Sequence, residues 1–407
     1  MLYQLHEMQR TFLNPLMQWA EASSKLFSNP VSPLAHTPFS QRIAAGYELL
    51  YRLGKDYEKP SFGIDTATVD GKPVSIIEHA AVTKPFCRLM HFRKDVREPL
   101  VQPTVLLVAP LSGHHATLLR DTVRGLLPEH DVYITDWTDA RMVPLSDGAF
   151  HLDDYIYYVQ DFIRYLGPDV HVISVCQPTV PVLAAISLMA SNNDPKLPKT
   201  MTMMGGPIDT RKSPTAVNNL AIEKPFSWFE NTVIYPVPPN YPGFGRKVYP
   251  GFLQHAGFIA MNPGRHAQSH REFYMHLVRG DDETAESHRK FYDEYNAVLD
   301  MPAEYYLDTI KTVFQEHRLP KGTWEVGGQL VRPQDITNVA LLTVEGELDD
   351  ISGAGQTQAA HELCSGIPAD MQEDYVVPQA GHYGIFSGRR WRELVCPKIT
   401  SFIRQHA

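Results

Sequence analysis

Apolar positions along this chain change period several times, and the changes divide it. Up to about residue 60 they recur at three- and four-residue steps, and Leu5, Met8, Phe12, Leu16 and Trp19 fall on one helical face. Asn14-Pro15 predicts a break, with Asn as cap and Pro at the first helical position. Thr37-Pro38 predicts a second helix that carries Ile43, Tyr47 and Leu50 and ends at Gly54. Most amphipathic helices pack on their own domain, so the stripe is expected to be covered rather than to meet a partner.

From Phe62 the pattern is that of strands. Asp70-Gly71, between Ile64–Val69 and Pro73–His79, predicts a two-residue hairpin turn. Thr104–Val108 is a Val/Leu run of the kind buried on both faces of a parallel sheet. Helical and extended segments then alternate: a helix around His115–Leu127, a strand at Val132–Asp136, and a helix at Leu152–Leu166 closed by Gly167. They continue with the run from Val170 into Cys176, a helix from Pro178 to about Ser191, and a strand at Thr200–Met204. This alternation predicts a parallel α/β sheet. Past Gly205-Gly206-Pro207 it stops. Residues 211–334 are rich in Pro and aromatics, with helical stretches near His270–Leu277 and Glu283–Val298. It resumes with strands at Val339–Val344 and Asp374–Val377, a helix near Gln356–Leu363, and a final helix from Arg389 to Arg404. The expected organisation is an N-terminal helical extension (1–60), a core in two parts (61–210 and 335–407), and an inserted cap (211–334) over the carboxyl edge of the sheet.

Composition narrows the function classes. Of 407 residues, 43% are hydrophobic and 20% charged, which is ordinary for a globular protein large enough for a core with an insertion. The net charge of −9 has no basic block beside it, which argues against nucleic-acid binding. No stretch reaches membrane-spanning length and no leader pattern opens the chain. Cys87, Cys176, Cys364 and Cys396 are scattered, without metal-ligand spacing, so a reducing cytoplasm with a free thiol is expected. Adjacent His114 and His115 point different ways and have no carboxylate at matching spacing, so no metal site is expected.

Candidate chemistry lies where strands end. A buried run feeding a helix through a reactive side chain is the layout of a nucleophile elbow, with Cys176 in Ser174-Val175-Cys176-Gln177-Pro178 at its tip. The usual Gly-x-Ser-x-Gly residues are replaced. A buried Cys is most often a small core hydrophobe. The weight comes from coincidence with two later strands. Val339–Val344 leads into Glu345-Gly346-Glu347-Leu348-Asp349-Asp350, and Asp374–Pro378 leads into Gln379-Ala380-Gly381-His382. In the α/β-hydrolase arrangement the order is nucleophile, acid, histidine, each at the carboxyl end of a strand. Cys176, Asp349 and His382 follow it, with Asp350 the alternative acid. A thiol nucleophile needs such a base, and the base needs an orienting group. The backbone N–H of Gln177 is one candidate oxyanion donor, since Pro178 biases Gln177 away from helix. The loop Ala109–His115 should supply the other, and alignment with its hydrolase counterpart selects Ser112 to within one residue.

Taken together, Ala109-Pro-Leu-Ser-Gly-His-His-Ala-Thr117, Ile134-Thr-Asp-Trp137, Ser174-Val-Cys-Gln-Pro178, Gly346-Glu-Leu-Asp-Asp350 and Gly381-His382-Tyr-Gly384 resemble the intracellular poly(3-hydroxybutyrate) depolymerases. The resemblance runs over nearly the whole chain. It implies an α/β-hydrolase fold and a cytoplasmic enzyme that mobilises storage polyester at granule surfaces. The family's nucleophile falls on Cys176, its acid on Asp349 and its base on His382. No cofactor is implied. Water accepts the acyl group, or coenzyme A does. The aromatic-rich cap is a candidate contact for the insoluble polymer, although an ordinary cap core explains the same residues. Two alternatives stand beside this reading: a polymer synthase-like acyltransferase, which usually has Gly-x-Cys-x-Gly, and a non-catalytic granule protein on the same fold.

Overall fold

The computed structural model describes residues 2–98, 100–261 and 263–407. Its centre is a nine-stranded sheet. In chain order the strands are β1 (Thr66–Val69), β2 (Lys72–Lys84), β3 (Cys87–Lys94), β4 (Thr104–Val108), β5 (Asp131–Trp137), β6 (Val170–Val175), β7 (Thr200–Met204), β8 (Ala340–Gly346) and β9 (Gln372–Val377). In space they run β1-β2-β3-β5-β4-β6-β7-β8-β9. The first pairings, through β3 with β5, are antiparallel, and every pairing from β5 to β9 is parallel.

Strand composition follows from this placement. Strands β6, β7 and β8 are buried at every position, so they read as continuous apolar runs rather than as alternation. Leu106 and Val108 face a core with α4 (Leu152–Leu166) and α5 (Thr179–Ser191). Val105 and Leu107 face the other core, with α3 (Arg120–Leu126) and the C-terminal helix Cys396–Gln405. Chain direction along the sheet reverses between β4 and β6. Loops at the carboxyl ends of those strands therefore border one crevice, where ligands of open α/β sheets bind.

The Asp70-Gly71 hairpin forms with positive φ at both residues, as a tight primed turn requires. Strand β3 was not expected. Its apolar residues are interrupted by Arg88, His91 and Arg93, and it is recognisable only by its antiparallel place between β2 and β5.

The N-terminal segment differs from expectation twice. Helix α1 (Leu2–Ser28) runs through Pro15 without ending. Pro15 withholds a donor from the Thr11 carbonyl, but residues 11–16 are all exposed and water can satisfy that carbonyl. The stripe of Leu5, Met8, Phe12, Leu16 and Trp19 is not covered: all five are exposed, Phe12 by 85%. The helix buries Tyr3, Met17, Ala20 and Ser24 instead. Met17 packs on Gly54 at the end of α2 (Ser40–Gly54), where a Cβ would stand 2.3 Å from its sulfur. The Tyr3 hydroxyl donates to Asp300 at 2.6 Å, and Tyr241 donates to Glu7 at 2.9 Å.

Between β7 and β8 the chain forms helices, including Gly251–Met261, Pro263–Arg279, Asp282–Tyr295 and Ala303–Thr309. Of its aromatics between residues 226 and 258, Phe229 is buried, Phe226, Trp228, Tyr235, Tyr241, Tyr249, Phe252 and Phe258 are half-buried, and Phe244 is exposed; further on, Phe273, Tyr292, Tyr295, Tyr305 and Trp324 are buried and Phe291 is exposed. The aromatic content of the insertion thus mostly packs inward, as an ordinary core would.

Candidate active site

Strand β6 ends in a backbone turn that few residues tolerate. Cys176 has φ +67°, in the left-handed region, where a side chain is strained by about 1–2 kcal/mol. The turn is held on both sides. The Cys176 N–H donates to the Met204 carbonyl at 2.7 Å, and its carbonyl accepts from Thr179 N–H at 3.1 Å as α5 begins. Room for so sharp a bend comes partly from Gly206 on the neighbouring strand end. A Cβ there would lie 1.8 Å from Thr179 Oγ1 and 2.6 Å from the Cys176 carbonyl oxygen. Cys176 is the half-buried one of the four cysteines. Burial pushes the thiol of Cys87 well up, that of Cys364 to about 12 and that of Cys396 to about 11.

His382 opens a short helical turn just beyond β9, and its Nδ1 lies 2.8 Å from Asp349 Oδ2. Both side chains are buried. The other Asp349 oxygen accepts the N–H groups of Ile351 and Ser352, each at 2.9 Å, which fixes the carboxylate's rotation. Asp350 is exposed, so of the two candidate acids it is Asp349 that meets the imidazole. Gly346 lets the loops touch: a Cβ there would be 2.6 Å from the Ala380 carbonyl oxygen. Leu348 N–H donates to that same oxygen at 2.8 Å.

Burial alone would lower the pKa of His382. The nearby Cys176 and the Asp349 carboxylate outweigh burial and push it up to about 10. The structure therefore joins His382 to Asp349 by a hydrogen bond and puts the imidazole within electrostatic reach of the Cys176 thiol.

Gln177 is buried, and its backbone N–H donates to no protein acceptor among the described residues. Ser112 is half-buried in the loop after β4, and its N–H and that of Leu111 are likewise unengaged there. This loop is anchored by Ala109 N–H to Thr135 Oγ1 at 2.9 Å and by Trp137 Nε1–H to the Ala109 carbonyl at 2.8 Å. His114 and His115 do not line an open mouth. They are buried, and desolvation lowers them to about 4 and about 3. His114 stacks on Phe258 of the insertion at 4.8 Å.

Three contributors had no motif to announce them. Gly205, at φ +56°, lies under the His382–Asp349 pair. Thr357 Oγ1 accepts from Gly206 N–H at 2.8 Å, and Thr357 N–H in turn donates to the buried Glu345 carboxylate at 2.8 Å. From the insertion, Tyr305 donates its hydroxyl to Gln177 Oε1 at 2.6 Å. A Gly-Gly pair directly after a central strand was the available signal for the first. Tyr305 sits in a segment with no strand-end context and left none.

Strand order, the sharp turn after β6, and the placement of Asp349 and His382 after β8 and β9 define an α/β-hydrolase fold with N-terminal helices. Within it, residues 205–407 match the family described as PHB de-polymerase C-terminus. No curated protein sequence matches the chain. Solved structures resemble it weakly. A monoacylglycerol lipase from Paleococcus ferrophilus is 13% identical, with TM-score 0.44 over 75% of this chain and 95% of that one. A thermophilic esterase from Thermogutta terrifontis is 12% identical, with TM-score 0.40 over 84% and 98%. The 2-hydroxy-6-oxo-6-phenylhexa-2,4-dienoate hydrolase of Rhodococcus sp. strain RHA1 is 12% identical, with TM-score 0.43 over 81% and 99%.

Proposed function

We propose that this protein is a cytoplasmic depolymerase that cleaves the ester bonds of poly(3-hydroxybutyrate)-type storage polyester through Cys176, His382 and Asp349. The observation that carries the reading is the position of His382, hydrogen-bonded to a buried, twice-anchored carboxylate and within electrostatic reach of a half-buried thiol on a strained elbow. The match of residues 205–407 to the PHB de-polymerase C-terminus supports the substrate class.

The Cys176 thiolate attacks the ester carbonyl carbon. The developing oxyanion is met by the Gln177 N–H and by Ser112 N–H, or that of its neighbour Leu111; each such donor is worth about 3 kcal/mol. The C–O bond to the next hydroxyacid unit breaks, and the imidazolium of His382 gives its proton to the departing alkoxide. A thioester remains on Cys176. Water then attacks it while His382 takes the water's proton, and the thiolate leaves with release of the free acid. With coenzyme A as acceptor its thiol takes the place of water and an acyl-CoA leaves.

An insoluble substrate requires a surface that adsorbs to it. The uncovered α1 stripe of Leu5, Met8, Phe12, Leu16 and Trp19 supports contact with a granule better than the inward-facing aromatics of the insertion do. Among the described residues no helix is long and apolar enough to cross a membrane.

The test is Cys176→Ala and Cys176→Ser on native amorphous granules. The Ala variant should release no acid and the Ser variant little. Full activity of Cys176→Ala refutes the mechanism. Net polymer growth from a hydroxyacyl-CoA favours the synthase-like alternative, and wild-type protein that binds granules without releasing acid favours the non-catalytic one. Iodoacetamide should modify Cys176 ahead of the three buried cysteines and abolish activity.

A further inference from the structure

Gln177, the residue after Cys176, carries a polar group that nothing among the described residues satisfies. The residue is 7% exposed, and its Nε2 has no hydrogen-bond partner among the described residues. Buried amide groups are almost always paired, so an orphan next to a nucleophile calls for a ligand acceptor.

The amide cannot simply turn over to hide this group. Its Oε1 accepts the Tyr305 hydroxyl at 2.6 Å, and a Tyr hydroxyl whose proton is committed there prefers an oxygen to an NH2. Tyr305 is itself immobilised: its ring stacks on Tyr155 at 5.4 Å, and Tyr155 stacks on Trp137 at 4.2 Å. Trp137 is pinned by its bond to Ala109. The Tyr305 phenol, which holds the carboxamide, also lies within electrostatic reach of Cys176.

Substrate chemistry then selects the acceptor. This step rests on the depolymerase reading above. The scissile carbonyl oxygen is taken by backbone donors. Along the acyl unit of a 3-hydroxyalkanoate, the next oxygen is the one on C3, an ester oxygen within the chain and a free hydroxyl at its end. We infer that the Gln177 side-chain NH2 donates to the C3 oxygen of the acyl unit transferred to Cys176. Gln177 is thereby a specificity-determining residue for 3-oxygenated acyl chains, and Tyr305 is the residue that positions it.

The experiment compares kcat/KM for p-nitrophenyl 3-hydroxybutyrate and p-nitrophenyl butyrate, which differ only at C3. The readout is the ratio of the two in wild type, Gln177→Met, Gln177→Glu and Tyr305→Phe. Gln177→Met keeps the side-chain length and the backbone N–H but removes the donor. Gln177→Glu can still accept from Tyr305 but cannot donate when ionised. In both variants the preference for the hydroxy ester should fall about tenfold, the loss of one ordinary hydrogen bond. Tyr305→Phe should lower it less, chiefly through KM, because the NH2 survives but is no longer aimed. An unchanged ratio in Gln177→Met overturns the inference, as does equal loss on both esters. If one variant fails to fold by circular dichroism, the other decides. Cys176→Ala in parallel separates the two levels: if it hydrolyses butyrate, the triad falls and this inference with it. If it is inactive while the ratio does not move, only the role of Gln177 falls.

Discussion

Gly205 lies directly against His382: a methyl group built at residue 205 would stand 3.3 Å from the imidazole Cε1, 3.4 Å from Asp349 Oδ2 and 2.7 Å from Ile385 Cδ1. The strand end that receives Cys176's N–H thus continues into the surface on which His382 rests. Gly205→Ala meets two penalties, a side chain at φ +56° and a push on the imidazole. Activity should fall about a hundredfold, the scale of a 1 Å misplacement of a catalytic group. Melting temperature should also drop. Steady-state kinetics with a soluble ester and a thermal melt read the two effects separately.

Asp349 and Asp350 offer a contrast within one turn. Asp349→Asn keeps the shape of the anchor but removes the charge that orients and stabilises the imidazolium, and kcat should fall roughly 10³- to 10⁴-fold. Asp350 is exposed, and Asp350→Asn should stay within about twofold, as surface substitutions do. Equal effects of the two would place the acid elsewhere.

The raised pKa of His382 predicts how stability responds to pH. The imidazole titrates near 6.5 in an unfolded chain and near 10 in the fold. Its contribution is complete below the lower value and is lost as pH rises through the upper one. Cys176 is the strongest group raising it, so Cys176→Ala should remove much of this dependence. Melting curves of both proteins from about pH 6 to about pH 10.5 should converge in the alkaline part of the range. Curves that stay parallel would contradict a role for Cys176 in raising His382.

Phe12→Ser with Trp19→Ser tests the α1 stripe. Both side chains are exposed, so the fold should survive. Sedimentation with amorphous polyester granules should fall about tenfold or more, from the apolar area lost. The ratio of granule turnover to soluble-ester turnover should fall with it.

Most of the site was legible because it is written locally. A fully buried β6 ending at Cys176, a Gly-x-x-Asp after β8 and a Gly-His after β9 each state their own place at a strand end. What could not be read depends on elements distant in sequence. Helical spacing put Leu5, Met8, Phe12, Leu16 and Trp19 on one face but could not say that α2 would pack on Met17 and meet that face at Trp19, through Tyr47. Pro15 read as a break because its exposure, which makes it tolerable, belongs to the tertiary structure. Strand β3 hid because charged residues break its pattern, and Tyr305 because its partner lies 128 positions away.

The interruption between β7 and β8 also orders events in the life of the chain. Cys176 leaves the ribosome ahead of the whole stretch from Gly205 to Val339, and only then does the strand that leads to Asp349 appear. Only when β9 has docked beside β8 does an imidazole arrive at the thiol. During synthesis Cys176 is therefore without the imidazole of His382, and the long-range pairing of β8 with β7 makes assembly of the candidate site a late step in folding. Regain of activity on refolding should accordingly lag behind regain of helical structure.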